Sequence, residues 1–241
     1  MPFLSPEQLV VTVEHASPHV PPALVGLGLS DAFLSTHYGW DPGAAAVGRF
    51  VAWTFGAALH LGRWSRLVAD LNRTDNHPRV IAADAGGRPI PANADLSREE
   101  RRARLDRYWM PYRSAVEADL DRVVARFGKV LHLSVHTFTQ RLNGESRGND
   151  FGLLYKPSHR AERAMAGRWD RRLTEQGFRV RRNYPYSGLD DGFCMRMRAE
   201  RSARSYLGME VEMNQKWVGR SPTLRHLAKA LVEVIEREWR E

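Results

Sequence analysis

Three short apolar runs, each giving way to polar residues at or near its end, constrain this chain more than any other feature. They are Leu9–Val13 before Glu14-His15, Val130–Val135 before His136-Thr137, and Tyr206–Met213, within which Glu210 and Glu212 alternate. Runs this short, rich in Val and Leu, read as buried strands. Arg66–Leu71 is read as another strand, and Phe151–Tyr155 as one more. Between them the spacing is helical. One helix is expected over 42–61, with Asp41 as its N-cap and Pro42 at its first position. The capping-box pattern Ser97-Arg98-Glu99-Glu100 opens another, interrupted near Pro111. Further helices are expected over Arg160–Gln176 and Thr223–Trp239, and Thr74–Leu96 reads as a long Pro- and Gly-bearing excursion. Strands alternating with helices give an α/β fold with a mainly parallel sheet and helices on both faces. A length of 241 residues suits one domain, 1–241. In such sheets function collects at the carboxyl ends of the strands, which is where the polar clusters fall.

Several classes of function are excluded at this level. One cysteine, Cys194, allows no intramolecular disulfide framework and no Cys-rich zinc module, and it reads as a small buried thiol rather than a nucleophile. No Gly-x-Ser-x-Gly elbow, phosphate-binding loop or dinucleotide fingerprint occurs. No apolar run is long enough for a membrane span, and the N-terminus lacks a basic region followed by an apolar one, so a cytoplasmic protein is expected. The net charge of +8 comes almost wholly from arginine, since only four of the 36 basic residues are lysines. These charges are scattered and mixed with acids, which argues for solvated helix faces and against a nucleic-acid partner.

The polar clusters suggest a metal site. Two histidines and a carboxylate delivered from separate strand ends can bind zinc with one position left open. His15 and His136 are the ligand candidates, Asp41 the third, with Glu14 as its competitor; Glu212 is the candidate general base. The alternative is that these histidines bond to backbone, that Asp41 merely caps a helix and that Glu210 is an ion-pair partner. Asn72-Arg73 offers an amide and a guanidinium fork for a substrate carboxylate. Arg66 either polarises a scissile carbonyl or braces the loop through Asp70. Residues Asn183–Gly188, including Tyr184 and Tyr186, read as a mobile loop contributing to the pocket. His60, His77, His132, His159 and His226 read as structural or surface groups.

Taken in order, these motifs resemble the N-formylglutamate amidohydrolase family. The matching pieces are Val13-Glu14-His15-Ala16-Ser17, His37-Tyr38-Gly39-Trp40-Asp41-Pro42-Gly43-Ala44, Ser65 through Arg73, Leu133 through Thr139, Asn183 through Gly188, and Val211 through Gln215. The resemblance implies a three-layer α/β/α fold of the phosphorylase/hydrolase kind, related to zinc carboxypeptidases and aspartoacylases. It implies one zinc ion on His15, Asp41 and His136, and hydrolysis of a small carboxylate-bearing N-acyl amino acid, nominally N-formyl-L-glutamate. Carried over by position, Asn72 and Arg73 hold the substrate carboxylate, with Tyr184 and Tyr186 beside them. Arg66 polarises the carbonyl, and Glu212 is the base. The carboxypeptidase-type His-x-x-Glu pair is absent, because Pro18 stands three residues after His15. A zinc amidase acting on peptides or cell-wall amides, or a non-catalytic binding protein, are the alternative readings.

Overall fold

The computed structural model describes residues 5–219 and 221–240. Residues 1–4, part of the segment on which the absence of a leader is read, lie outside the described residues. In chain order the strands are β1 (Leu9–Val13), β2 (Ala58–Leu61), β3 (Asp84–Ala85), β4 (Arg88–Pro89), β5 (Val130–Phe138), β6 (Arg141–Leu142), β7 (Glu145–Ser146), β8 (Phe151–Leu154), β9 (Val180–Arg182) and β10 (Tyr206–Asn214). The helices are α1 (Asp31–Leu34), α2 (Ala44–Phe55), α3 (Arg98–Tyr108), α4 (Met110–Phe127), α5 (Arg160–Glu175), α6 (Phe193–Glu200) and α7 (Ser221–Arg240).

The central sheet has the order β2-β1-β5-β10-β8-β9. The first four of these strands are parallel, and β8 with β9 runs antiparallel to them. This is the expected mixed, mainly parallel α/β sheet. Two hairpins, β3–β4 and β6–β7, stand outside it.

The three apolar runs form the three central strands, buried along their whole length. Alternation along a strand sends successive side chains to opposite faces. Leu9, Val11, Val13, Leu131, Leu133, Val135, Met209, Val211 and Met213 therefore share one face, where they pack with Val47 and Val51 of α2, Trp169 and Leu173 of α5, and Leu231 and Ile235 of α7. The opposite face carries Thr12, His132, Ser134, His136, Glu210 and Glu212, all buried. It is closed at the amino ends of the strands by Val116 and Leu120 of α4 and by Phe193 and Met197 of α6. Within this buried polar face His132 is satisfied internally. The His132 ring meets the Thr12 hydroxyl at 2.8 Å and the Tyr206 hydroxyl at 2.7 Å. Burial pushes His132 down to about 3, so it stays neutral and acts as a structural group, as expected.

Three expectations need correction. The segment 42–61 is not one helix. Gly43, at φ 87°, precedes α2 as its N-cap, and Gly56, at φ 62°, ends it. The left-handed region is open to glycine at no steric cost, so Gly56 acts as a C-cap and releases 58–61 to become edge strand β2. Asp41 does not cap this helix. Arg66–Leu71 is a series of turns, because its backbone groups bond elsewhere: Arg66 N to the Gly39 carbonyl, Val68 N to Ser65 and Asp70 N to Val80. Helix α6, which carries the buried Cys194, follows a loop where no helix was expected. The excursion 74–96 buries Val80, Ile81 and Ile90 against the loop carrying Leu67, Val68 and Ala69, and none of its residues lines the cavity described below.

Candidate active site

Parallel pairing of β10 with β5 sets Glu212 directly beside His136, and Glu210 beside Ser134. His15 follows β1, and the backbone of Asp41 is tied to it by a hydrogen bond from Asp41 N to the His15 carbonyl, 3.0 Å. Two strand ends and one loop thus deliver His15, Asp41 and His136 to a single point. His15 Nδ1 and His136 Nδ1 lie 3.4 and 2.8 Å from Asp41 Oδ2. One ligand atom from each of the three residues lies within 4.8 Å of the others, and all three side chains are buried.

The remote nitrogen of each ring has its own carboxylate. His15 Nε2 is 2.6 Å from Asp70 Oδ1, and His136 Nε2 is 3.0 Å from Glu14 Oε2. Glu14 in turn accepts from the Ser134 hydroxyl at 2.8 Å. Burial alone would raise the Glu14 carboxyl, but the hydrogen bond and charge of His136 outweigh it and hold Glu14 below the usual range. Burial likewise works against charge on His136, yet the carboxylates of Asp41 and Glu14 on its two nitrogens raise it well above its ordinary value. For His15, burial and Arg66 oppose charge, and Asp70 with Asp41 raises it on balance.

This donor set fits a metal ion. Nitrogen and carboxylate ligands at roughly 2.0–2.2 Å around a tetrahedral ion stand about 3.4 Å from one another; the His15–Asp41 separation of 3.4 Å equals that spacing, and the His136–Asp41 separation of 2.8 Å is shorter. A cation held by His15, Asp41 and His136 would take the place of the Nδ1 protons. Asp70 and Glu14 would then keep the Nε2 protons and fix the ring orientations, as carboxylates do behind metal-binding histidines. Glu14 meets His136 at Nε2, the nitrogen remote from Asp41.

A cavity of about 230 Å³ opens over these residues. Arg66, Asn72, Arg73, Tyr186, Glu210 and Glu212 all face it. Glu212 is buried, its Oε2 has no hydrogen-bond partner among the described residues, and burial raises its carboxyl to about 7, with His136 pulling it back and Asp41 and Glu210 pushing it further up. Arg66 donates to Asp70 Oδ2 at 2.9 Å and lies 3.7 Å from Asp41 Oδ1. It thus braces the loop and also reaches the cavity. Asn72 donates to Glu210 Oε2 at 3.3 Å, and its Oδ1 accepts from Phe193 N at 2.7 Å, at the first residue of α6. Arg73 donates to the Asp191 carbonyl at 2.5 Å. Glu210 therefore takes the Asn72 amide, where an ion pair was the alternative.

Tyr184 and Tyr186 part company. Tyr186 lines the cavity, whereas the Tyr184 hydroxyl donates to Glu145 on the β6–β7 hairpin and its ring lies 3.5 Å from the Arg181 guanidinium. Pro185 stands between them, and Gly152 packs closely beneath the Tyr184 carbonyl. The loop is anchored by Asn183, whose Oδ1 accepts from Tyr155 N and Gly188 N. Sequence reasoning weighed Glu14 only as a ligand and Asp70 only as a partner for Arg66. It did not single out Arg147, which lies behind Tyr186. The available signal was position: Glu14 precedes a ligand candidate, and Asp70 lies on the loop of Arg66, Asn72 and Arg73.

The sequence model of the N-formylglutamate amidohydrolase family matches residues 7–218. Two curated N-formylglutamate deformylases are similar in part: that of Pseudomonas putida is 31% identical over 36% of each chain, and that of Pseudomonas aeruginosa 30% identical over 47% of each. The matches thus span less than half the length of these curated relatives. The fold resembles the crystal structure of a gene product from Agrobacterium tumefaciens, with a TM-score of 0.84 and 29% identity over 96% of this chain and 90% of that one. It also resembles an N-formylglutamate amidohydrolase from Ralstonia eutropha JMP134, with a TM-score of 0.68 and 21% identity over 100% and 97% of the two chains, a likeness of fold.

Proposed function

The chain belongs to the N-formylglutamate amidohydrolase family, and from that premise we propose that it hydrolyses the amide bond of a small N-acyl amino acid, nominally N-formyl-L-glutamate to formate and glutamate, with zinc held by His15, Asp41 and His136. The observation that carries this reading is the convergence of three ligand atoms beside the unpartnered, buried carboxylate of Glu212. Zinc bound there supplies a Lewis acid that polarises a carbonyl and acidifies water.

The chain's own residues account for the rest. Glu212 takes a proton from the water that attacks the formyl carbon and returns it to the amine nitrogen as the C–N bond breaks. A carboxyl group near 7 suits both halves of that task at neutral pH. Arg66, locked by Asp70, donates to the carbonyl oxygen as negative charge develops on it. Arg73 and Asn72 hold a substrate carboxylate, and Tyr186 forms the adjoining wall. A cavity of about 230 Å³ favours a small acyl amino acid over a peptide. No helix among the described residues is long and apolar enough to cross a membrane, and the reading is of a cytoplasmic enzyme.

The test is formate release from N-formyl-L-glutamate by zinc-loaded protein, beside a panel of formyl amino acids and short peptides. Turnover of N-formylglutamate that disappears in Glu212→Gln supports the reading. Turnover of peptides alone, or full activity in the variant, overturns it.

A further inference from the structure

Residues 72–74 clasp residues 191–193 beside the cavity. Asn72 Oδ1 accepts from Phe193 N at 2.7 Å, Arg73 Nη1 donates to the Asp191 carbonyl at 2.5 Å, and Thr74 N donates to Asp191 Oδ2 at 3.1 Å. The Thr74 hydroxyl lies 2.9 Å from Asp191 Oδ1 and 2.8 Å from Asn76 Oδ1, and the charged carboxylate is the stronger acceptor of its single proton.

A guanidinium bonds more strongly to a carboxylate than to a carbonyl. Arg73 nevertheless takes the main-chain carbonyl of Asp191, while the carboxylate of the same residue is turned to the uncharged donors of Thr74. Among the described residues Arg73 forms no ion pair, and that carbonyl is the one acceptor its side chain meets. Because Arg73 is already bonded to the main chain of Asp191, a change of side-chain rotamer at Asp191 suffices to bring carboxylate and guanidinium together. The neighbouring acids are held in the same way. Asp190 Oδ2 accepts from Ser187 N at 2.9 Å, and Glu210 Oε2 from the Asn72 amide at 3.3 Å. All three acids line the cavity with Arg73, and each is occupied by a neutral donor.

We propose that Thr74 is a positioning residue for substrate binding: by holding the Asp191 carboxylate it keeps that group off Arg73 and leaves the guanidinium to the carboxylate of the substrate. The proposal rests on the assignment of Arg73 to that carboxylate and deepens it. Asp191 then has two separate roles. Its main-chain carbonyl aims Arg73, and its side chain, once released, is an internal competitor for the same guanidinium.

The experiment measures calorimetric binding of glutarate to the full chain, with KM and kcat for N-formyl-L-glutamate beside it. Thr74→Val deletes the hydroxyl and keeps the shape of the side chain. Glutarate affinity should fall about tenfold, the worth of a hydrogen bond to a charged group. KM should rise by a similar factor while kcat changes by less than about threefold, the signature of lost binding rather than lost chemistry. Thr74→Ser keeps the hydroxyl and should stay within about threefold of wild type.

The decisive comparison repeats Thr74→Val in an Asp191→Asn background. Asparagine keeps the main-chain carbonyl that aims Arg73 but carries no charge to compete with the ligand. There Thr74→Val should change glutarate affinity by less than about threefold, because the two residues act as one unit. A Thr74 that merely supports the loop would cost affinity in both backgrounds, and that result overturns the proposal, as does unchanged binding in the Thr74→Val single variant. Should Thr74→Val fail to fold, Thr74→Ala carries the same comparison.

Arg73→Met separates this proposal from the hydrolase reading. If the protein hydrolyses no N-formyl-L-glutamate, the hydrolase reading fails, yet glutarate binding that is lost in Arg73→Met and follows the Thr74–Asp191 pattern still supports the proposal. If glutarate does not bind, or binds Arg73→Met as it binds wild type, the proposal falls whatever the activity.

Discussion

Replacing Glu212 by glutamine is expected to abolish most hydrolysis and, in the metal-free protein, to raise stability. Burial, reinforced by Asp41 and Glu210 and opposed by His136, lifts this carboxyl from 4.5 to about 7. Between those values the unfolded chain has released the proton and the folded chain still holds it. Stability therefore falls as pH rises through that window. The interval, at about 1.4 kcal/mol per pH unit, comes to about 3 kcal/mol. Glutamine is a neutral isostere and feels none of this. The stability difference between variant and wild type should be near zero below pH 4.5 and approach about 3 kcal/mol in favour of the variant above pH 7. Urea denaturation with a chelator present, across that range, measures it directly. Hydrolysis by the metal-loaded variant should fall by roughly 10²–10⁴-fold, the usual worth of a general base. A stability difference that does not change with pH would refute the claim that Glu212 is buried without a partner.

Three further outcomes follow from the same geometry. Asp70→Asn removes the charge that orients His15 and locks Arg66, and should weaken zinc binding about 10- to 100-fold in competition with a chelating dye. Arg66→Lys keeps the charge but loses the fork, so kcat should fall about 100-fold with a far smaller change in KM; a KM effect alone would make Arg66 a binding group. Gly152→Ala places a Cβ 2.1 Å from the Tyr184 carbonyl and 3.2 Å from Glu212 Cβ, so both the melting temperature and kcat/KM should drop, and an unaffected variant would show that the 183–186 segment does not position the site.

The parts of this fold that were legible in sequence are those whose burial is continuous. The three central strands carry apolar side chains at alternate positions against α2, α5 and α7, and their polar residues could be located by position alone. That placed His15, Asp41, His136 and Glu212 as candidates, and the fold brings all four together. The failures have a common cause in non-local bonds. The turns of 66–71 are held by Gly39 and Val80, far away in sequence, so a Leu-Val-Ala run that looks like a strand is not one. Helix α6 begins at a glycine, and the acceptor for its first N–H is the side chain of Asn72, contributed from another loop. Edge strand β2 was hidden because its residues continue the apolar spacing of α2, and only Gly56 marks the boundary. Arg147 carries no local signal: it is an arginine in a polar segment that three-dimensional packing buries beside Tyr186.

The central claim is that His15, Asp41 and His136 form a zinc site, and elemental mass spectrometry of purified protein tests it most directly. Wild type should carry about one zinc per chain, as expected of a site with three protein ligands, and His136→Ala, folded by circular dichroism, should carry almost none. Wild type that retains no zinc after incubation with it, or a His136→Ala variant that retains as much as wild type, would contradict the account.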